Sequence, residues 1–243
     1  MIAWTSSHAS DVGCKRRINE DAVLSRPDDG FWAVADGMGG HAAGDVASNA
    51  IVHALTSTHR PSGFADFIDK VEDTLIDVNS QLRAYSRDQL GGRTVGSTVV
   101  AMVLDAQVGC CLWAGDSRLY RWRDGVLVRL SKDHSAVQEL VENGVISQDE
   151  ADTHPKSNVI TRAVGGADEL YLDALLFQPL PGDVYLLCSD GLYNEVGAAD
   201  IAAALVFPVT QACQSLMDLA LERGARDNVS LVVIGVSGVA NGL

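Results

Sequence analysis

The chain is short of positive charge. Its 18 Lys and Arg residues stand against 32 Asp and Glu, a formal net charge of −14 over 243 residues. With no basic patch to release counterions from phosphates, the composition argues against a nucleic-acid partner. Cysteine is also sparse. There are five, an odd number, with no C-x-x-C spacing. That argues against a disulfide framework or a zinc site and fits a reducing compartment. Cys110, Cys111 and Cys188 fall in apolar runs and read as small core residues. No apolar run reaches ~18 residues, and the opening MIAWTSSHASDVGCKRR has no apolar leader core. The expected location is therefore cytoplasmic. Repeats, low-complexity tracts and long linkers are absent as well. With 47% hydrophobic and 21% charged residues, the composition fits one large globular domain spanning 1–243.

Hydrophobic spacing gives the coarse layout. FWAVAD (31–36) reads as a strand ending at Asp36. Residues 41–58 read as a helix with Val46, Ala50 and Ala54 on one side. Residues 64–84 form the clearest helix, with Phe64, Phe67, Ile68, Val71, Leu75, Val78 and Leu82 on a core-facing stripe. Runs 94–104, 108–114, 118–122 and 126–130 read as strands, the last two joined by a hairpin at Asp124-Gly125. They follow too closely to hold helices between them, so antiparallel pairing is expected. Residues 131–168 break the pattern, with a short helix ending at Gly144 and a capping box from Ser147 to Glu150. They read as a surface insertion, either a solvated excursion or a flap beside a site. A strand at 184–190, helices at 198–206 and 210–224 and a strand at 228–236 complete the chain. Strands grouped with strands and helices with helices imply an α+β layered fold.

Five short motifs carry acids: RRINED (16–21), VADGMGG (34–40), WAGDSRLY (113–120), LLCSDGL (186–192) and RDNVSLVV (226–233). In the middle three, an Asp follows an apolar run and precedes Gly or Ser. A carboxylate at the end of a buried strand is costly without a partner. Five in one chain suggest acids gathered around hard divalent cations. In Asp36-Gly37 and Asp190-Gly191 the Asp offers its carboxylate, and the Gly allows a sharp turn that exposes a carbonyl. Asp36 has enough lone pairs to bridge two ions. Two ions about 3.5–4 Å apart can acidify a water between them, as a phosphomonoester hydrolase needs. Arg16, four residues before Glu20, has the planar fork for a phosphate.

Other candidates are weaker. DGMGGHAAGD (36–45) lacks the Lys-Ser/Thr of a P-loop and has the wrong spacing for a dinucleotide fingerprint. His41 is a candidate proton donor or a solvent-facing residue at a helix start. His134, in KDHS, reads as structural. His8, His53, His59 and His154 are not grouped with acids. No G-x-S-x-G elbow occurs.

Together RRINED, VADGMGGHAAGDVAS, GSTVVAMVL, WAGDSRLYRWRDG, SKDHS, ITRAVGG, LLCSDGL and RDNVSLVVI, in this order, resemble the bacterial branch of the metal-dependent protein Ser/Thr phosphatases of type 2C. The likeness runs from about residue 6 to 236. It implies a four-layer αββα sandwich, two antiparallel sheets flanked by helices, with metals at one end and a flap at 131–168. It implies two Mg²⁺ or Mn²⁺ ions bridged by Asp36, with the Gly37 carbonyl on one and Asp190 and Asp227 on the other. Asp116 would join Asp190 at a third ion, and Glu20 and Asp21 would hold metal-bound waters. Arg16 would bind the substrate phosphate. Hydrolysis of phosphoserine and phosphothreonine would proceed by direct attack of bridging hydroxide, without a phosphoenzyme. The partners implied are a bacterial Ser/Thr kinase and its substrates, met by a monomer. One departure stands out. Animal relatives carry a His two residues after the bridging Asp, where this chain has Met38, so the leaving-group proton has no assigned donor; His41 or a metal-bound water at the third site would supply it. The rival readings are a silent binding module, which would have lost metal acids, and a phosphoesterase of small molecules.

Overall fold

The computed structural model describes residues 2–39, 43–151, 154–156 and 158–238. Its strands form two sheets in which every pairing is antiparallel. One sheet has the order β1 (Ile2–Asp11), β11 (Val229–Gly238), β10 (Val184–Cys188), β7 (Arg118–Arg123), β8 (Val126–Arg129). The other runs β2 (Asp21–Arg26), β3 (Phe31–Met38), β5 (Val99–Leu104), β6 (Gly109–Ala114), β9 (Asp173–Phe177), with the short β4 (Gly96–Ser97) pairing to the end of β3.

Alternation along the strands builds the layers, because successive side chains leave opposite faces. Trp32 and Val34 of β3, Val100 and Met102 of β5, Tyr185 and Leu187 of β10, and Val232 and Ile234 of β11 meet between the sheets. Phe31, Ala33 and Ala35, with Val99, Ala101 and Val103, face the other way onto α1 (Gly44–Ser57) and α2 (Phe64–Gln89). Leu186, Cys188, Leu231 and Val233 face α5 (Asp190–Tyr193), α6 (Ala198–Ala204) and α7 (Val209–Glu222). The result is the four-layer αββα sandwich. It explains why β5 and β6 are buried at every position: each lies under helices on one face and under a sheet on the other.

The α2 stripe is as expected, with Phe67, Val71, Leu75, Val78 and Leu82 buried and Phe64 and Ile68 packed at its edge. The α1 stripe is not. Ala47, Ile51 and Leu55 are buried and Val46 is exposed, so the apolar face is rotated by one residue from the expected one. Isoleucine and leucine supply more apolar area to bury than the alanines of the expected stripe. Asp124 and Gly125 both take positive φ, 50° and 81°, as a two-residue hairpin turn requires. β6 and β7 are consecutive, yet they lie in different sheets, so the turn at 115–117 crosses the sandwich. Between β8 and β9 the chain forms α3 (Ala136–Glu142) and α4 (Gln148–Ala151). The Ser147–Glu150 box is formed: the Ser147 amide donates to Glu150 Oε2 at 2.7 Å, and the Glu150 amide donates to Ser147 Oγ at 3.3 Å.

All five cysteines are free, Cys14 exposed and the other four buried. Among the described residues no helix is long and apolar enough to cross a membrane.

Candidate metal and phosphate site

Strand register gathers the five motifs at one end of the sandwich. Asp21, the first residue of β2, pairs with Asp36 near the end of β3. Cys188, the last residue of β10, pairs with Leu231 near the start of β11 and with Arg118 at the start of β7. Asp190 therefore follows one strand end, Asp227 precedes an adjacent strand start, and Asp116 sits on the crossing turn beside them. Val99 pairs with Ala114, which brings that turn to the end of β3 as well.

Hydrogen bonds hold these acids in place. The Asp36 amide donates to Thr98 Oγ1 at 3.1 Å, and Thr98 Oγ1 lies 2.7 Å from Ser117 Oγ, so one threonine ties Asp36 to the turn that carries Asp116. Ser189 Oγ donates to Asp21 Oδ2 at 2.8 Å and accepts from the Ser230 amide at 3.0 Å. Asn228 is the hub of the first and last motifs. Its Oδ1 accepts from the Glu20 amide at 2.8 Å, and its Nδ2 donates to the carbonyls of Val12 and Ile18. Glu20 Oε1 accepts from the Gly44 amide at 3.2 Å, at the start of α1. Thr98, Ser189 and Asn228 were not singled out in the sequence. Their signal was there, since each lies inside one of the ordered motifs, GSTVV, LLCSD and RDNVS.

The two Asp-Gly steps work differently from the expected sharp turns. Gly37 lies within β3 and Gly191 within α5, both without positive φ. A Cβ on Gly37 would fall 2.1 Å from the Gly44 carbonyl oxygen, and one on Gly191 would fall 1.9 Å from that of Asn228. Glycine is needed there because another backbone passes too close for a side chain.

Burial sets the electrostatics. Asp21 and Asp116 are each 6% exposed. Loss of hydration raises the Asp21 carboxyl to about 7, against hydrogen bonds from Ser189 and Ser230 that favour its charged form. Burial, then the charges of Asp190 and Asp133, raise Asp116 to about 7, with Arg118 opposing. Burial and Asp227 raise Asp190 to about 6. Asp36 is pushed well up by burial and then by Asp21, Asp190, Asp116 and Asp227 together. Asp21 Oδ1 is buried with no hydrogen-bond partner. Arg16 is the cation at the rim. Its Nη2 is 2.6 Å from Asp227 Oδ2, both side chains being partly exposed, and Asp227 holds the guanidinium firmly charged.

Such a cluster fits divalent cations on its chemistry. It is all hard oxygen, buried at Asp21 and Asp116 and partly open at Asp36, Asp190 and Asp227, rich in negative charge, and contains an orphaned carboxylate oxygen. Among the described residues, no three His, Cys, Asp or Glu side chains already stand as a ligand set. Asp227 is turned to Arg16, and Asp190 accepts from Asn194 Nδ2 at 3.2 Å. His41 lies outside the described residues. Beside the cluster, a cavity of about 300 Å³ separates α3 and α4 from α5 and α6, with Asp116, Arg118 and Asp190 along one wall.

Residues 15–221 match the family model described as protein phosphatase 2C. The serine/threonine protein phosphatase PstP of Mycobacterium tuberculosis is 37% identical over 228 residues, covering 93% of this chain and 44% of that protein. The chain thus spans less than half the length of that relative. The solved structure of PppA, described as a key regulatory component of T6SS in Pseudomonas aeruginosa, is 42% identical with a TM-score of 0.90, covering 96% of this chain and 98% of that one. The catalytic domain of PstP in complex with two manganese ions is 35% identical with a TM-score of 0.88, covering 98% and 100%.

Proposed function

The chain belongs to the protein phosphatase 2C family, and on that premise we propose that it is a metal-dependent phosphatase of phosphoserine and phosphothreonine in proteins. The observation that carries this reading is the group of four carboxylates at one end of the sandwich, Asp21 and Asp116 buried and Asp36 and Asp190 partly buried, whose neighbouring guanidiniums are already engaged, Arg118 by Asp133 and Arg16 by Asp227. Asp36, the Gly37 carbonyl, Asp190 and Asp227 would hold two ions, Asp116 with Asp190 a third, and Glu20 and Asp21 would orient the surrounding water. When bound, Mg²⁺ or Mn²⁺ supplies the charge a phosphate dianion needs to approach and acidifies water for in-line attack.

The residues themselves perform the remaining steps. Arg16 stands at the rim, half exposed, on a loop pinned by Asn228. With Asp227 held by a bound cation instead of by Arg16, the Arg16 fork would be free to take two phosphate oxygens. Thr98 and Ser189 keep Asp36 and Asp21 fixed during the displacement. The donor of the leaving-group proton is His41 or a water near Asp116. Residues 131–168 act as a flap over the cavity within a single domain spanning 1–243. The protein is read as a cytoplasmic monomer opposing a Ser/Thr kinase.

The test compares p-nitrophenyl phosphate with a phosphothreonine peptide, each with Mn²⁺ and with EDTA. Release from the peptide that requires metal is the expected result. No metal-dependent release from either substrate sinks the proposal, and release from p-nitrophenyl phosphate alone transfers it to small molecules. Asp36→Asn abolishes activity.

A further inference from the structure

Among the described residues, His134 is the histidine that the sandwich builds into its architecture, and the chemistry above leaves it unused. Its side chain is 9% exposed and stacks on Trp113, ring centroids 6.1 Å apart and planes 13° apart. Two hydrogen bonds join it to Gly115, the residue before Asp116. The His134 amide donates to the Gly115 carbonyl at 2.9 Å, and the Gly115 amide donates to His134 Nδ1 at 3.2 Å. Gly115 has φ +109°, and a Cβ there would fall 2.6 Å from the Thr98 side chain, so this turn has little room for another conformation.

The neighbours of His134 grip the same turn. Trp113 Nε1 donates to the Lys132 carbonyl at 2.8 Å. Arg118 Nη2 donates to Asp133 Oδ2 at 2.7 Å, and the Leu119 amide donates to Ser131 Oγ at 2.8 Å. Residues 131–134 thus clasp the chain from 113 to 119, with Asp116 at the centre. The same residues form the neck of the 131–168 segment. The Thr161 amide donates to the His134 carbonyl at 2.9 Å, and Ser135 bridges Ile160. His134 is therefore where the outgoing and returning strands of that segment touch the turn that carries Asp116.

We propose that His134 is a positioning residue: by accepting the Gly115 amide at Nδ1 it sets the place of the Asp116 carboxylate and couples that carboxylate to the flap. An imidazole nitrogen that accepts an N–H must carry a lone pair, so the ring is the neutral tautomer with its proton on Nε2. Nε2 lies 3.4 Å from Asp173 Oδ2, an ion-pair distance too poorly aligned to count as a hydrogen bond, so Nδ1 is the only ring atom with a hydrogen bond. The charged groups around the ring are Arg162, Asp173 and Asp133. Burial and Arg162 lower its pKa against the two acids, which favours the neutral form. This role rests on the phosphatase reading, through Asp116.

Asparagine and glutamine separate the two ring nitrogens. Asn places an oxygen where Nδ1 stands, whereas Gln reaches toward Nε2. His134→Asn is expected to keep most of kcat on a phosphothreonine peptide. His134→Gln is expected to lose about tenfold or more, with KM for p-nitrophenyl phosphate moved far less. In a calorimetric Mn²⁺ titration, the weakest site persists in the Asn variant and fades in the Gln variant. Nitrogen-15 NMR of the unaltered chain needs no variant and should show Nδ1 unprotonated and Nε2 protonated. A proton on Nδ1 would falsify the proposal, and so would Asn and Gln variants alike in both kcat and metal titration. If the unaltered chain hydrolyses nothing, the phosphatase reading falls, while the tautomer and the Mn²⁺ titration still decide the role of His134.

Discussion

Replacing Asp116 by Asn is expected to make the metal-free protein more stable while lowering the proposed phosphatase activity. Asp116 is 6% exposed, and burial with two neighbouring acids raises its carboxyl from the usual 3.8 to about 7. A carboxyl raised on folding favours the fold while it stays protonated and loses that advantage as pH climbs through its folded value. The cost is under about 2 kcal/mol at pH 5 and reaches about 4 kcal/mol at pH 8, at 1.36 kcal/mol for each pH unit of displacement. Asparagine matches the protonated acid in shape and never ionises. In EDTA at pH 8, urea denaturation should therefore show Asp116→Asn more stable than the unaltered chain by up to about 4 kcal/mol, roughly 10 °C in Tm for a chain of this size. At pH 5 the gap should shrink by more than half. Saturating Mn²⁺ should close or reverse it, since ligand at 100 times its Kd adds about 2.7 kcal/mol to the form that binds it. If the Asn variant is no more stable than the unaltered chain at pH 8 in EDTA, Asp116 is not a buried charge awaiting a cation, and the argument for a third site goes with it.

Two further outcomes follow from packing. Asp183 has a fully buried carboxylate that accepts from Arg123 at 2.6 and 2.7 Å, from the Leu180 amide and from Tyr185 Oη. Asp183→Ala should cost about 3–5 kcal/mol in denaturant unfolding, because Arg123 and Tyr185 lose their partner. Arg123 and the other donors hold this carboxyl below its usual range against the cost of burial. Its contribution should therefore be full near neutral pH and fade as acid protonates it, a trend opposite to that of Asp116. Gly191→Ala should cost about 1–3 kcal/mol and weaken Mn²⁺ binding, because its new methyl meets the Asn228 carbonyl oxygen at 1.9 Å and forces Asp190 from Asp227; calorimetry showing unchanged Mn²⁺ affinity would refute that coupling.

The order of the motifs pointed to the candidate site before any geometry, and the α2 stripe and the Asp124-Gly125 hairpin were legible from spacing alone. Elsewhere local pattern was not enough. β1 reads IAWTSSHASD, too polar to announce a strand, and it is held by ten residue pairs to β11, more than 200 residues away. β9 (DALLF) is five residues at a sheet edge, and its short apolar run leaves Leu176 65% exposed, so neither length nor alternation marks it as a strand. Nothing in WAGDSRLY says that its two strands belong to different sheets. That follows from where Trp113 and Leu119 can both be buried, in the layer between the sheets. In α1 the rotated stripe depends on which residues meet β2 and β3, a tertiary fact. The close approach at Gly37 and Gly191 likewise depends on backbones 7 and 37 residues away in sequence, Gly44 and Asn228.

The pairing of β1 with β11 also governs the order in which the molecule can be made. On a ribosome β1 emerges well before β11 and stays without that neighbour until residues 229–238 have been synthesised. Arg16 meets Asp227, and Glu20 meets Asn228, across separations of 211 and 208 residues. Contacts so distant along the chain are slow to close. A nascent chain holding Asp36, Asp116 and even Asp190 still lacks Asp227 and the Asn228 tether on the Arg16 loop. On the proposed function, the site is therefore complete only once residues 227 and 228 have been made, and a chain interrupted before residue 227 is expected to be inert toward phosphoproteins.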